Sequence, residues 1–100
     1  MVLEHALLSV RPGDEEQFEA ALDEALGVIG SAEGCGTVQV LRGVESPSTY
    51  LLLVEWVSLE AHTEDFRSSP AFLRWRELVS PWWVDLPVVE HFATLVERSG

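Results

Sequence analysis

Lysine is absent from this 100-residue chain: its six basic residues are all arginine, set against seventeen Asp and Glu, for a formal net charge of −11. Without lysine, Schiff-base chemistry and a lysine-anchored pyridoxal cofactor are excluded. A surface of that sign repels phosphate backbones and anionic headgroups, so neither nucleic acid nor a membrane is an expected partner. Cysteine is nearly absent too: Cys35 stands alone, so no internal disulfide forms, and it reads as a small buried hydrophobe. With one thiol and three scattered histidines, no cysteine-based zinc site can be assembled. No apolar run approaches the ~20 residues of a membrane span, and the first one contains Glu4 and His5 with no basic segment before it. The expectation is a cytoplasmic protein. There is no Pro- or Ser-rich tract, and 47% hydrophobic content over this length makes one domain, 1–100.

What is present alternates between two periodicities. Val2 to Val10 reads as a first strand, closed by Arg11-Pro12-Gly13. Asp14 then reads as a helix cap, with Glu15 and Glu16 in the first turn and Phe18, Leu22, Ala25, Leu26 and Ile29 at helical spacing. Gly34-Cys35-Gly36 turns the chain into a second strand over 37–41, and Gly43 to Ser48 forms a hairpin loop. Thr49 to Val57 is the strongest strand: Tyr50, Leu52, Val54 and Trp56 share one face, and Leu51, Leu53, Glu55 and Val57 the other. Ser58 caps a short helix through Phe66, and Ser69-Pro70 opens another carrying Phe72, Trp75, Leu78 and Val79 until Pro81. A last strand runs from Pro87 through Leu95, with Val89, His91, Ala93 and Leu95 on one face.

The order βαββαβ predicts an α+β ferredoxin-like fold, with both helices on one face of a four-stranded antiparallel sheet. The other face is expected to hold Leu3, Leu7, Leu41, Leu51, Leu53, Val57, Val89 and Leu95, more apolar surface than a monomer exposes. A second copy packed sheet to sheet would cover it, giving a homodimeric α+β barrel. Strand alternation sends His5 and His91 to that covered face as a hydrogen-bonded pair, away from His62, so the three histidines are not expected to share a metal.

Five stretches, in this order and spacing, give the chain its resemblance to the antibiotic biosynthesis monooxygenase family. They are Arg11-Pro12-Gly13, Glu33-Gly34-Cys35-Gly36, Val54-Glu55-Trp56 followed by Leu59-Glu60-Ala61-His62, Ser69-Pro70-Ala71-Phe72, and Val89-Glu90-His91-Phe92. The resemblance implies a dimeric barrel that oxidises a small aromatic, quinol or anthrone-like molecule with molecular oxygen and no cofactor. Such a substrate, once deprotonated, is itself the electron donor, so the protein need only bind it, accept a proton and stabilise the anion.

By this resemblance the cavity lies between sheet and helices, lined by Tyr50, Leu52, Phe66, Phe72 and Trp75. Trp56 matches a family tryptophan expected to wall the ligand; His62 matches a proton-relaying tyrosine and is the expected acid/base group; Arg76 matches an arginine expected to hold an anion. Each has a plainer reading: Trp56 as core, His62 as a surface residue beside Glu64 and Asp65, Arg76 as half of a surface ion pair. Leu52 stands where the anthrone-oxidising relatives have asparagine, which removes a polar anchor and leaves Tyr50 as the candidate replacement. Haem-degrading barrels are set aside, because their Asn, Trp and His positions read Ala6, Phe66 and Trp75 or Arg76 here. A non-catalytic barrel that binds a small molecule in its aromatic cavity is the remaining alternative.

Overall fold

A computed structural model describes all of residues 1–100. The chain runs β1 (Val2–Ser9), α1 (Glu15–Gly30), β2 (Cys35–Arg42), β3 (Thr49–Trp56), a π-helix (Ala61–Phe66), α2 (Pro70–Val79), a 3₁₀ turn (Ser80–Trp82) and β4 (Val88–Phe92). The strands form one antiparallel sheet in the order β2-β3-β1-β4, the ferredoxin-like arrangement predicted by the βαββαβ pattern. Both helices cover one face, where Phe18, Ala25 and Ile29 of α1 and Trp75 and Val79 of α2 close over Ala6, Leu8, Tyr50, Leu52, Val54 and Trp56.

Local chemistry explains most element ends. Ser69 caps α2 by accepting from the Phe72 amide at 3.3 Å, and Pro70 follows in the first turn, where its missing N–H costs nothing. Ser58 accepts from the Ala61 amide at 3.1 Å and so opens the π-helix. Asp14 makes no side-chain cap; Arg11 holds it at 2.9 Å, and the amide of Gly13 is met instead by the Glu15 carboxylate. The chain beyond the 3₁₀ turn is strapped to the end of the first strand, with the Val84 amide donating to the Ser9 carbonyl at 2.7 Å and the Arg11 amide to Trp82 at 3.0 Å.

The fourth strand departs from expectation in length and in facing. It ends at Phe92, and Leu95, 95% exposed, lies beyond it on no sheet face. Its register against β1 pairs Glu4 with His91, Ala6 with Val89 and Leu7 with Val88. Since Ala6 lies beneath the helices, Val89 and His91 do too, and the expected pairing of His91 with His5 on the outer face is corrected. His5 instead meets Phe92 edge to face, centroids 5.4 Å apart. Val57 likewise falls just past the end of β3. The outer face keeps an apolar row across all four strands, Val88, Leu7, Leu51 and Leu41, each the register partner of the next.

Candidate active site

Three register partners make the floor of a cavity between sheet and helices: Leu52 on β3, Ala6 on β1 and Val89 on β4. Ala6 is the smallest of the three, and the space its side chain leaves contributes to a cavity of about 270 Å³ lined mostly by hydrophobic residues. An aromatic arc forms the walls. Phe66 meets Phe72 at right angles (centroids 5.7 Å, 88°), Phe72 stacks toward Trp75 (6.2 Å, 28°), and Trp75 leans on Trp83 (5.7 Å, 54°). Trp83, Leu86 and Pro87, on the strapped segment before β4, complete the rim. Four polar side chains converge on this slot: Glu4, His62, Arg67 and Arg76.

The next register row, Val54, Glu4 and His91, holds the titratable groups. Glu4 sits 5% exposed, and its Oε1 accepts from the Trp56 indole at 3.0 Å while lying 3.2 Å from His62 Nε2. His62 is 3% exposed; its ring lies flat on Trp56 (centroids 5.0 Å, 13°), and its Nδ1 is 2.7 Å from Nε2 of His91. Both His62 and Phe66 lie on the buried side of the π-helix, whose wide turn is marked by the Arg67 amide donating to the His62 carbonyl five residues earlier.

Burial sets the electrostatics. Desolvation raises the Glu4 carboxyl above the ordinary carboxylate range, against the lowering effect of the Trp56 hydrogen bond and the nearby Arg67. Desolvation, with Arg67 and His91 nearby, pushes His62 down to about 4, and His91 is lowered for the same two reasons of burial and Arg67. His62 is therefore a neutral imidazole at pH 7, with one donor and one acceptor nitrogen.

Of the residues expected at the site, Leu52, His62, Phe66, Phe72, Trp75 and Arg76 do line the cavity. His62 is not a surface histidine. Arg76 is exposed but joins no ion pair, whereas Arg11, Arg42 and Arg74 each face a carboxylate. Trp56 is fully buried and lies behind His62, where it orients the imidazole and Glu4 instead of walling the cavity. Tyr50 is away from the cavity: it packs on Phe18 and donates to Glu19, an arrangement that lifts its phenol to about 12, chiefly through desolvation. Three polar contributors, Glu4, Arg67 and His91, were not expected, nor were Trp83, Leu86, Pro87 and Val89 in the lining. The signal for Glu4 was present, since alternation from Ala6 and Leu8 puts a carboxylate on the buried face.

No cluster of three or more His, Cys, Asp or Glu suited to a metal ion occurs, and no helix is long and apolar enough to cross a membrane.

A single small α+β unit with an aromatic cavity under its helices is the class of protein this geometry defines. The chain belongs to the antibiotic biosynthesis monooxygenase family, whose model matches residues 1–78. It is 40% identical over 92 residues to the uncharacterised protein YczJ of Bacillus subtilis (strain 168), covering 92% of this chain and 97% of that one. A crystal structure from Bordetella bronchiseptica, provisionally described as an antibiotic biosynthesis monooxygenase, superimposes with a TM-score of 0.91 at 36% identity, covering 95% of this chain and 97% of that one. Rv0793 of Mycobacterium tuberculosis shares the fold, with a TM-score of 0.78 at 24% identity and 98% of both chains covered.

Proposed function

We propose that the chain is a cofactor-independent monooxygenase or oxidase of a small aromatic substrate of the phenol, quinol or anthrone type. The observation that carries this reading is the convergence of a buried carboxyl, a neutral imidazole and two arginines on one aromatic-lined cavity. The aromatic arc binds the ring system by apolar contact. The Glu4–His62 pair accepts a proton from the acidic O–H or C–H, and Arg76, with Arg67 beside it, holds the resulting anion. Trp83 has a buried indole N–H without an acceptor in the protein, and an oxygen of the bound molecule is the partner we assign to it.

The electron accounting needs only substrate and oxygen. A quinol gives two electrons and two protons to O₂, leaving a quinone and hydrogen peroxide. An activated CH₂ gains one oxygen atom as a carbonyl, and its two hydrogens leave with the other oxygen as water. The working unit is a homodimer, in which a second copy covers the Val88-Leu7-Leu51-Leu41 row.

The test is oxygen uptake by metal-chelated protein with a panel of anthrones, naphthols and hydroquinones. Uptake above the autoxidation rate that falls in Arg76→Ala, with the oligomeric state unchanged, supports the reading. No acceleration, combined with quenching of tryptophan fluorescence by the same compounds, identifies a binding protein instead.

A further inference from the structure

His62 has no ring nitrogen to spare for a ligand. Nε2 lies 3.2 Å from Glu4 Oε1, and Nδ1 lies 2.7 Å from His91 Nε2, so both edges of the ring are committed to protein groups. The three side chains come from β1, the π-helix and β4, and they differ in what they face. Glu4 and His62 line the cavity; His91 does not, and it is the least buried of the three, on the edge strand of the sheet. Glu4 and His91 are direct register partners, and His62 spans the two from above.

Packing does not require such an assembly, because burying a carboxyl and two imidazoles costs desolvation that apolar side chains of the same volume would avoid. We propose that Glu4, His62 and His91 form a proton relay between the cavity and the edge of the sheet, with Glu4 the group presented to the bound molecule. The proposal rests on reading the cavity as an oxidation site, and it replaces direct proton abstraction by His62 with abstraction by Glu4.

The protons balance as follows. In the accepting form His62 carries its proton on Nδ1 and donates to His91 Nε2, while His91 carries its own proton on Nδ1. A proton taken by Glu4 from the substrate passes from the carboxyl to His62 Nε2. The Nδ1 proton of His62 moves to His91 Nε2, and the Nδ1 proton of His91 leaves. One proton enters, one departs, Glu4 is again a carboxylate, and both imidazoles have exchanged tautomer. The rings regain the accepting form when the relay runs back: His91 takes up a proton at Nδ1, its Nε2 proton moves to His62 Nδ1, and the Nε2 proton of His62 returns through Glu4 to the reduced oxygen, as part of hydrogen peroxide or water.

The relay needs neutral rings, since an imidazolium has two donors and cannot accept. Besides one another, the charged group facing the three is Arg67, from the turn after the π-helix, and its positive charge disfavours protonation of both imidazoles. Trp56, from β3, fixes the ring plane of His62 and the position of Glu4 Oε1.

Two measurements test the relay separately from the oxidation. The first reads tautomers by imidazole nitrogen-15 chemical shifts. Shifts averaged between tautomers at both His62 and His91, with His62 locked to one tautomer in His91→Gln, are expected. A wild-type His62 already locked, and indifferent to His91→Gln, overturns the relay whether or not any compound is oxidised.

The second reads turnover. His91→Ala and His91→Asn should lower kcat roughly tenfold or more with little change in KM, and free imidazole in the buffer should restore the Ala variant. Unchanged kcat in both variants, with vigorous oxygen uptake by the parent, overturns the relay and leaves the oxidation standing. Absence of uptake by the parent overturns the oxidation and leaves the relay to the nitrogen shifts.

Discussion

Trp56 and His62 lie flat against one another, ring centroids 5.0 Å apart, and both direct a ring nitrogen at the same oxygen of Glu4. The carboxyl is thus the hub of the buried cluster, and its protonation opposes that of the imidazole it holds. His62 is lowered from 6.5 to about 4. Between those values the unfolded chain binds more protons at this position than the folded one, so its contribution is full above pH 6.5 and lost as pH falls through 4. The amount is on the order of 3 kcal/mol.

Glu4 has the opposite sign. Its folded value is raised, so the folded chain holds more protons above the ordinary carboxylate range, and acidification favours folding through this group. The two effects partly cancel between pH 4.5 and 6.5. Glu4→Gln removes the second while keeping an acceptor for Trp56 and His62. Urea midpoints measured across that window should therefore fall more steeply with acidification in Glu4→Gln than in the parent, and equal slopes would show that Glu4 does not titrate with the cluster.

Ala6 offers a direct way to empty the site of ligand without disturbing its polar groups. Its methyl group lies at the centre of the cavity floor, between Leu52 and Val89. Ala6→Leu adds three carbons that project into free space, so the melting temperature should hold or rise, while aromatic probes should lose at least about tenfold in affinity. Undiminished fluorescence quenching in a folded Ala6→Leu protein would place the binding site elsewhere.

Two glycines with positive φ separate conformational cost from crowding. At Gly13, φ is +100° and an added methyl meets nothing within 4 Å, so Gly13→Ala should cost about 1 kcal/mol. At Gly34, φ is +84° and the methyl would fall 3.0 Å from both Ala61 Cβ and Val57 Cγ2. Gly34→Ala should then cost about 2 to 4 kcal/mol, and because Ala61 begins the π-helix, the loss should extend to probe binding. Equal denaturation midpoints for the two variants would remove the crowding argument.

The apolar row on the outer face predicts the behaviour of Leu51→Arg. Leu51 is flanked by Leu7 and Leu41, each 40% exposed in the single chain. A guanidinium in the middle of the row is solvated in a monomer and stranded in a sheet-to-sheet dimer. Sedimentation should give twice the 11.1 kDa chain mass for the parent and a single chain for Leu51→Arg. A monomeric parent at micromolar concentration would end the dimer proposal.

The architecture was legible because it depends on local signals. Ser69-Pro70, the alternation of Thr49 to Trp56 and the apolar stripe of α1 each identify an element without reference to the others. The site was legible where its residues lie on those same elements, as Leu52, Phe72, Trp75 and Arg76 do. His91 was misplaced for a reason of register. Alternation groups Val89 with His91 correctly, but which face the pair takes is decided by pairing with β1, more than eighty residues away in sequence, and a slip of one residue reverses it. Tyr50 shares its face with Leu52, yet the cavity occupies only part of that face, and Phe18 and Glu19 of α1 claim the tyrosine. Arg67 gave no warning, since it stands just past a helix whose pitch the sequence does not announce.

That pitch makes the length of the segment after β3 a setting as well as a spacer. An α-helix advances about 100° per residue and a π-helix somewhat less, so loss of one residue between Ser58 and His62 would turn His62 away from Glu4 by roughly that angle. The sheet and α2, held by their own contacts, would remain. A homologue shorter by one residue here is thus predicted to keep the sheet, its covering helices and the aromatic cavity while losing the buried Glu–His contact, so indels at this point of the family would divide proteins of one shape into different chemistries.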